Sequence, residues 1–203
     1  MKGGWQALLF AGPGPGATIR AEDPTHLNDA EVLRDEVAPA FPMFRAGDVL
    51  LSLRNLDTLV VADGRTWRIK WAMTGPFLGQ HDPDFLPNGH LLVFDNRGTG
   101  DRPAFGGSRV LEIDPATREV VWSYDGGGEP FYTKERGSQQ ALPNGDVLVT
   151  AALEGRVFEV TRENPGRVVW EYVNLVRPGL VGLVTGAERV DPARVTFLGQ
   201  GCG

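Results

Sequence analysis

A four-residue turn occurs twice in this chain, and the segments after it repeat in the same order. Leu86-Pro87-Asn88-Gly89 returns as Leu142-Pro143-Asn144-Gly145. Each copy leads into an apolar run, Leu91-Leu92-Val93-Phe94 and Val147-Leu148-Val149-Thr150. Next come Arg109-Val110-Leu111-Glu112-Ile113 and Arg156-Val157-Phe158-Glu159-Val160. The copies close on Val120-Val121-Trp122-Ser123-Tyr124 and Val168-Val169-Trp170-Glu171-Tyr172. A looser copy runs through Asp48–Ser52, Thr58–Val61 and Ile69-Lys70-Trp71. Landmarks recurring in order mark a repeat architecture.

Each unit reads as four strands joined by tight turns. Proline presets the first central turn position and glycine after asparagine accepts the positive φ that the turn then needs, so Pro-Asn-Gly links strands one and two. Asp114-Pro115-Ala116-Thr117 and Asn164-Pro165-Gly166 serve the same purpose between strands three and four. The runs between are β-branched and aromatic. Units of about 50 residues with four antiparallel strands predict an all-β chain, a β-propeller of four-stranded blades. A β-sandwich also uses short strands and frequent turns, but it does not require self-similarity. The expected organisation is one domain over residues 1–203, with units near 26–73, 79–124 and 137–172 and partial units at 1–25 and 176–198. In the first partial unit Gln6–Phe10 reads as a strand; in the last, Val181–Val184 and Arg194–Leu198 are the apolar pieces. A closed ring needs at least about four blades, so the expectation is three to four blades forming a small ring, a half that pairs with another copy, or part of a longer propeller that lacks its N-terminal portion here. Trp71, Trp122 and Trp170 are expected to pack blade against blade.

Gly (27) and Pro (15) make up about a fifth of the 203 residues, consistent with many turns and little helix. The net charge of −6 argues against a nucleic-acid partner, which selects basic surfaces. No apolar run is long enough for a membrane span. The apolar stretch Ala7–Phe10 is too short for a secretory signal. Cys202 is the single cysteine, so it forms neither an internal disulfide nor a cysteine metal cluster.

Three histidines carry the candidate chemistry. His81 opens the second unit and Arg97 follows its second strand; because the turn folds these strands antiparallel, both are expected at one rim. His26 and Arg54 repeat the arrangement in the first unit. Arginine forks match sulfate or phosphate oxygens, and a neutral imidazole serves as nucleophile or as proton donor to a leaving oxygen. The alternative is that each histidine caps a strand edge by bonding to a backbone carbonyl. His90, in a hairpin, reads as exposed. Gln80-His81-Asp82-Pro83-Asp84 offers one imidazole and two carboxylates to a divalent ion, but Asp82 before Pro83 reads as a turn cap, and no metal site is expected.

The stretch Gln80–Gly89, with Phe94-Asp95-Asn96-Arg97-Gly98, resembles the bacterial arylsulfotransferase family. Ser52-Leu53-Arg54-Asn55 and His26-Leu27-Asn28 fit its preceding blade, and the resemblance runs roughly over residues 26–198. It implies the C-terminal portion of a six-bladed propeller. It also implies an extracytoplasmic, periplasmic setting and sulfuryl transfer between phenolic sulfate esters and phenols, without a nucleotide donor or other cofactor, through a sulfohistidine. By position His26, His81 and Arg97 match its active-site residues. Arg54, Asn28, Asp82, Asn96, Gln139 and Gln140 would line a site for a small aromatic or anionic substrate. The family's sulfate-accepting histidine belongs to the next blade, where this chain has Gly137-Ser138-Gln139-Gln140. An amide is not a competent nucleophile. Either His81 or His26 takes that role, or the chain is a non-catalytic binding or scaffold propeller.

Overall fold

The computed structural model describes residues 22–98, 106–191 and 194–195; the strand expected at Gln6–Phe10 and the piece expected at residues 196–198 lie outside them. Three four-stranded antiparallel meanders succeed one another in chain order. The first holds β1 (Leu27–Val32), β2 (Val49–Leu53), β3 (Thr58–Ala62) and β4 (Ile69–Thr74). The second holds β5 (His81–Phe85), β6 (Leu91–Asp95), β7 (Arg109–Asp114) and β8 (Glu119–Tyr124). The third holds β9 (Ser138–Ala141), β10 (Val147–Ala151), β11 (Arg156–Val160) and β12 (Val168–Val173), and a hairpin of β13 (Leu175–Arg177) and β14 (Leu180–Val181) comes after it. This is the blade order of a β-propeller. No helix among the described residues is long and apolar enough to cross a membrane.

The middle strands read as unbroken apolar runs because both their faces are covered. β3, β6 and β10 are buried along their whole length, whereas β12 is exposed at every residue. A core of Leu59, Val61, Trp71 and Met73 against Phe85, Leu91, Val93 and Leu111 joins the first two blades. A second core, with Leu92, Phe94 and Tyr124 facing Phe131, Val149 and Phe158, joins the next two. The Leu-Pro-Asn-Gly turns close as the repeat implies: Gly89 and Gly145 have φ of 87° and 93°. At Gly89 a side chain is doubly excluded, since a Cβ would sit 2.4 Å from the Ala40 carbonyl oxygen.

Each repeat tryptophan carries an arginine from farther along the chain, from the turn before the last strand of the following blade for Trp71 and Trp122 and from beyond β14 for Trp170. Arg118 lies 5.6 Å from the Trp71 ring centre, Arg162 5.0 Å from Trp122, and Arg189 5.2 Å from Trp170. Such cation–π contacts contribute about 0.5–2 kcal/mol each. Glu112 is the cross-strand partner of Trp122 and ion-pairs with Arg162; Glu159 stands opposite Trp170 and ion-pairs with Arg189. Arg189 belongs not to a blade but to a strap, residues 182–191. The strap lays Val184 and Ala187 on the apolar patch of Leu142, Leu148 and Val157. Trp71 packs between blades as expected, its Nε1 donating across the interface to the Pro115 carbonyl at 2.9 Å. Trp170 does not. It is 45% exposed, and Tyr172 is 48% exposed where its counterpart Tyr124 is 5% exposed. His90 is half-buried rather than exposed, because the Glu112 carboxylate draws its Nδ1 to 2.6 Å.

Candidate functional site

The first strands of the blades, β1, β5 and β9, carry five of the nine predicted site residues, and the fold divides the whole set between a rim and a cleft.

At the rim, His26 lies opposite Arg54, whose backbone N–H donates to the His26 carbonyl at 3.1 Å. His26 has φ of 46°, in the left-handed region. Asp23 holds that turn: Oδ1 accepts the His26 backbone N–H at 2.8 Å and Oδ2 lies 2.5 Å from Nδ1. The ring is thus oriented through Nδ1, and Nε2 takes no partner among the described residues. Asn55, buried, ties the pieces together. Its Nδ2 donates to the Asp23 carbonyl at 2.9 Å and its Oδ1 accepts from Arg54 Nη1 at 3.1 Å. An imidazole steered by a carboxylate beside a guanidinium is an arrangement suited to nucleophilic attack on an anionic group.

His81 is held in the opposite sense. It pairs with Phe94 inside β6, two positions deeper than His26, which lies opposite Arg54 beyond the end of β2. Its Nδ1 lies 3.0 Å from the Gly79 carbonyl and 2.7 Å from Asn96 Oδ1. Asn96 Nδ2 donates to the carbonyls of Thr133 (2.7 Å) and Arg136 (2.8 Å), which fixes Oδ1 as an acceptor. Nδ1 therefore carries the hydrogen, and Nε2 accepts the Arg136 backbone N–H at 3.1 Å. Burial pushes the imidazole down to about 4; the bonds to Asn96 and Gly79 pull it back, while the charges of Arg54 and His26 push further down. At neutral pH His81 is uncharged with both nitrogens engaged. Those charge effects also place His26, Arg54 and His81 within electrostatic reach of one another. Arg97 follows Asn96 with φ of 53°, its backbone N–H held by Asp95 Oδ1 at 3.0 Å. Asn28 ties blades together instead: its Nδ2 donates to the Gln80 carbonyl at 2.8 Å.

Asp82, Gln139 and Gln140 sit elsewhere. With Asp84 and Ser138 they line one side of a cleft of about 540 Å³, and strap residues 185–188, including Glu188, form the other. Gln139 donates from its backbone to Asp82 Oδ2 at 3.0 Å and from Nε2 to Asp84 Oδ2 at 3.0 Å, and Nε2 also approaches the Asp82 carbonyl. Gln140 clasps the strap: its Oε1 accepts from Arg189 N at 2.8 Å and its Nε2 donates to the Arg189 carbonyl at 3.2 Å. Burial pushes Asp84 up to about 8, with Asp82, Glu31 and Asp29 adding repulsion. Burial likewise raises Asp82 to about 6 and Glu31 to about 6. Among the described residues no three His, Cys, Asp or Glu side chains are disposed to hold a metal ion. Sequence reading missed Asp23, Glu31 and Asp29, and weighed Asp84 only as a metal ligand. The only signal for Asp29 and Glu31 was their spacing of two on an inner strand, which puts them on one face.

Ser138 pairs with Thr150 where His81 pairs with Phe94, so the third blade holds a hydroxyl at the matching position. A side chain at Gly137 is excluded: its φ is 93°, and a Cβ would lie 2.6 Å from the Phe94 ring.

The meander blades and their rim of inner-strand side chains define a β-propeller. The arylsulfotransferase (ASST) family profile matches residues 13–175, more than half of the chain, and the chain belongs to that family. Among solved structures, the WD40 β-propeller domain of Doa1 superposes with a TM-score of 0.50 at 16% identity, over 72% of this chain and 40% of that one. The Dos1 propeller gives a TM-score of 0.46 at 11% identity, over 71% of this chain and 34% of that one. The chain thus spans about two fifths or less of the length of these propellers. Comparison with the curated proteins finds no match.

Proposed function

We propose that the rim binds the sulfuryl group of a phenolic sulfate ester and passes it to a phenol through His26. The observation that carries this reading is the Asp23–His26 pair beside Arg54, which leaves Nε2 without a partner among the described residues. Asp23 keeps the hydrogen on Nδ1, so the Nε2 lone pair attacks sulfur. The N–S bond forms as the S–O bond breaks, and the phenolate leaves with the electron pair. Arg54, joined by Arg97, offsets charge on the sulfuryl oxygens. The acceptor phenol oxygen then attacks sulfur, the N–S pair returns to Nε2, and the phenolic proton goes to water. His81 is not the proton donor in this scheme, because it is uncharged at neutral pH and its Nδ1 hydrogen is held by Asn96 and Gly79. It stands as a neutral polar wall.

The test is release of 4-nitrophenol from 4-nitrophenyl sulfate in the presence of phenol. The expected result is turnover that vanishes in His26→Ala and persists, reduced, in His81→Ala. Turnover untouched by His26→Ala would overturn the assignment.

A second reading, a non-catalytic propeller that binds an aromatic anion, is favoured by one observation: the Arg136 N–H occupies His81 Nε2. Stabilisation of the fold by aromatic sulfates without any turnover would select it.

A further inference from the structure

We propose that the cleft between β5, β9 and the strap is a binding site for a primary ammonium group, carried by a small amine or by a lysine side chain. This is a site separate from the rim, and it does not rest on the sulfuryl reading.

The cleft is lined by groups that accept hydrogen bonds. Asp82 and Asp84 come from β5, Ser138 and Gln139 from β9, and Glu188 from the strap. The decisive group is Gln139. The residue is 6% exposed, and its Oε1 is buried without a hydrogen-bond partner. Its orientation is not free to reverse, since Nε2 donates to Asp84 Oδ2 and to the Asp82 carbonyl. An orphaned buried acceptor costs about 1–3 kcal/mol, and a ligand bearing N–H donors would recover that loss.

The charge agrees. The charges that act on Asp84 are those of Asp82, Glu31 and Asp29, all acidic. Arg189, in the strap beside Glu188, turns its guanidinium away to Glu159 and Trp170. Burial first, and then repulsion from Asp82, Glu31 and Asp29, keep Asp84 protonated up to about pH 8 when no cation is present. The oxygens do not converge as a metal-ligand set among the described residues. Three N–H donors on a flexible stem reach separated acceptors where a single ion does not.

The experiment is a thermal-shift titration of the full chain with 1,4-diaminobutane and with Nα-acetyl-lysine amide, which separate a free amine from a lysine side chain. Tetramethylammonium at equal ionic strength and calcium chloride are the controls. The expected result is a saturable rise in Tm with one or both amines and none with tetramethylammonium, which has no N–H. Asp84→Asn and, independently, Gln139→Leu should each weaken the apparent affinity about tenfold or more. Binding should tighten as pH rises toward 8, as Asp84 and Asp82 in the cleft, and Glu31 and Asp29 whose charges act on Asp84, lose protons opposite Glu188. Four outcomes would overturn the proposal: no shift with either amine, an equal shift with tetramethylammonium, a larger shift with calcium, or amine shifts unchanged in both variants.

Discussion

The rim and the cleft are built from neighbouring residues of one strand, yet burial acts on them in opposite directions. His81, at the start of β5, is driven down to about 4, and Asp84, three residues on, is driven up to about 8. Burial disfavours the charged form whatever its sign, so both groups stand neutral near pH 7. At the rim the chemistry is left to His26, which is exposed, and the half-buried Arg54. In the cleft it waits for a counter-ion. Histidines that look alike in sequence therefore differ in what they can do. His26 is 45% exposed in its side chain and steered by a carboxylate, while His81 is clamped at both nitrogens.

That contrast can be broken most directly at the nucleophile. His26→Ala is expected to lower turnover of 4-nitrophenyl sulfate by about 10³-fold or more, while His81→Ala costs at most about tenfold. If His81→Ala is the more damaging, the roles are reversed. Arg54→Lys should come next, with a loss of about 10²-fold. The lysine keeps the charge but loses the fork that meets two sulfuryl oxygens; steady-state kcat/KM measures it. Asp23→Asn should reduce kcat by about tenfold with KM unchanged, because the carboxylate touches the ring and not the substrate.

Stability against pH sharpens the same comparison. The folded-state value of His81 lies below its ordinary 6.5. Its contribution is therefore complete above pH 6.5 and is lost as pH falls toward 4, by on the order of 3 kcal/mol. Asp84 has a folded-state value raised above its ordinary 3.8. Its contribution is complete below pH 3.8 and is lost as pH rises toward 8. Asp84→Asn should accordingly stabilise the protein at pH 8 by on the order of 5 kcal/mol and leave it unchanged near pH 4. Urea melts at pH 4, 6.5 and 8 decide this; a variant less stable at pH 8 would show that the carboxylate is compensated. The smallest expected effect is at the strap. Arg189→Ala should cost about 1 kcal/mol and shift Trp fluorescence to the red as Trp170 gains water.

The repeat, its turns and its apolar strands were legible because the same local chemistry recurs, and a tight turn has few solutions. Gly89 and Gly145 adopt the positive φ that Pro-Asn-Gly demands. The pairing of His26 with Arg54 within one blade was legible from antiparallel strands alone. The inequivalence of His26 and His81 was not. It arises because His26 falls opposite Arg54, beyond the end of β2, while His81 falls opposite Phe94 inside β6, and the one-residue slip in each first strand leaves no mark in a sequence. The cleft was hidden for another reason. Residues 185–188 return from more than forty positions downstream of β9 to form its second side, and long-range closure of this kind has no local signature. The expected grouping of Asp82, Gln139 and Gln140 with the arginines missed this division.

Arg189 has a consequence for how such a protein could lengthen. The guanidinium reproduces the grip by which Arg162 seizes Glu112 and Trp122, so the third sheet already displays a socket for a successor. A tandem duplication inserted after Asn174 would need no change in β11 or β12. The incoming module has only to evict a ten-residue plug and offer a guanidinium of its own. Growth by one module is then a competition between two arginines for one seat.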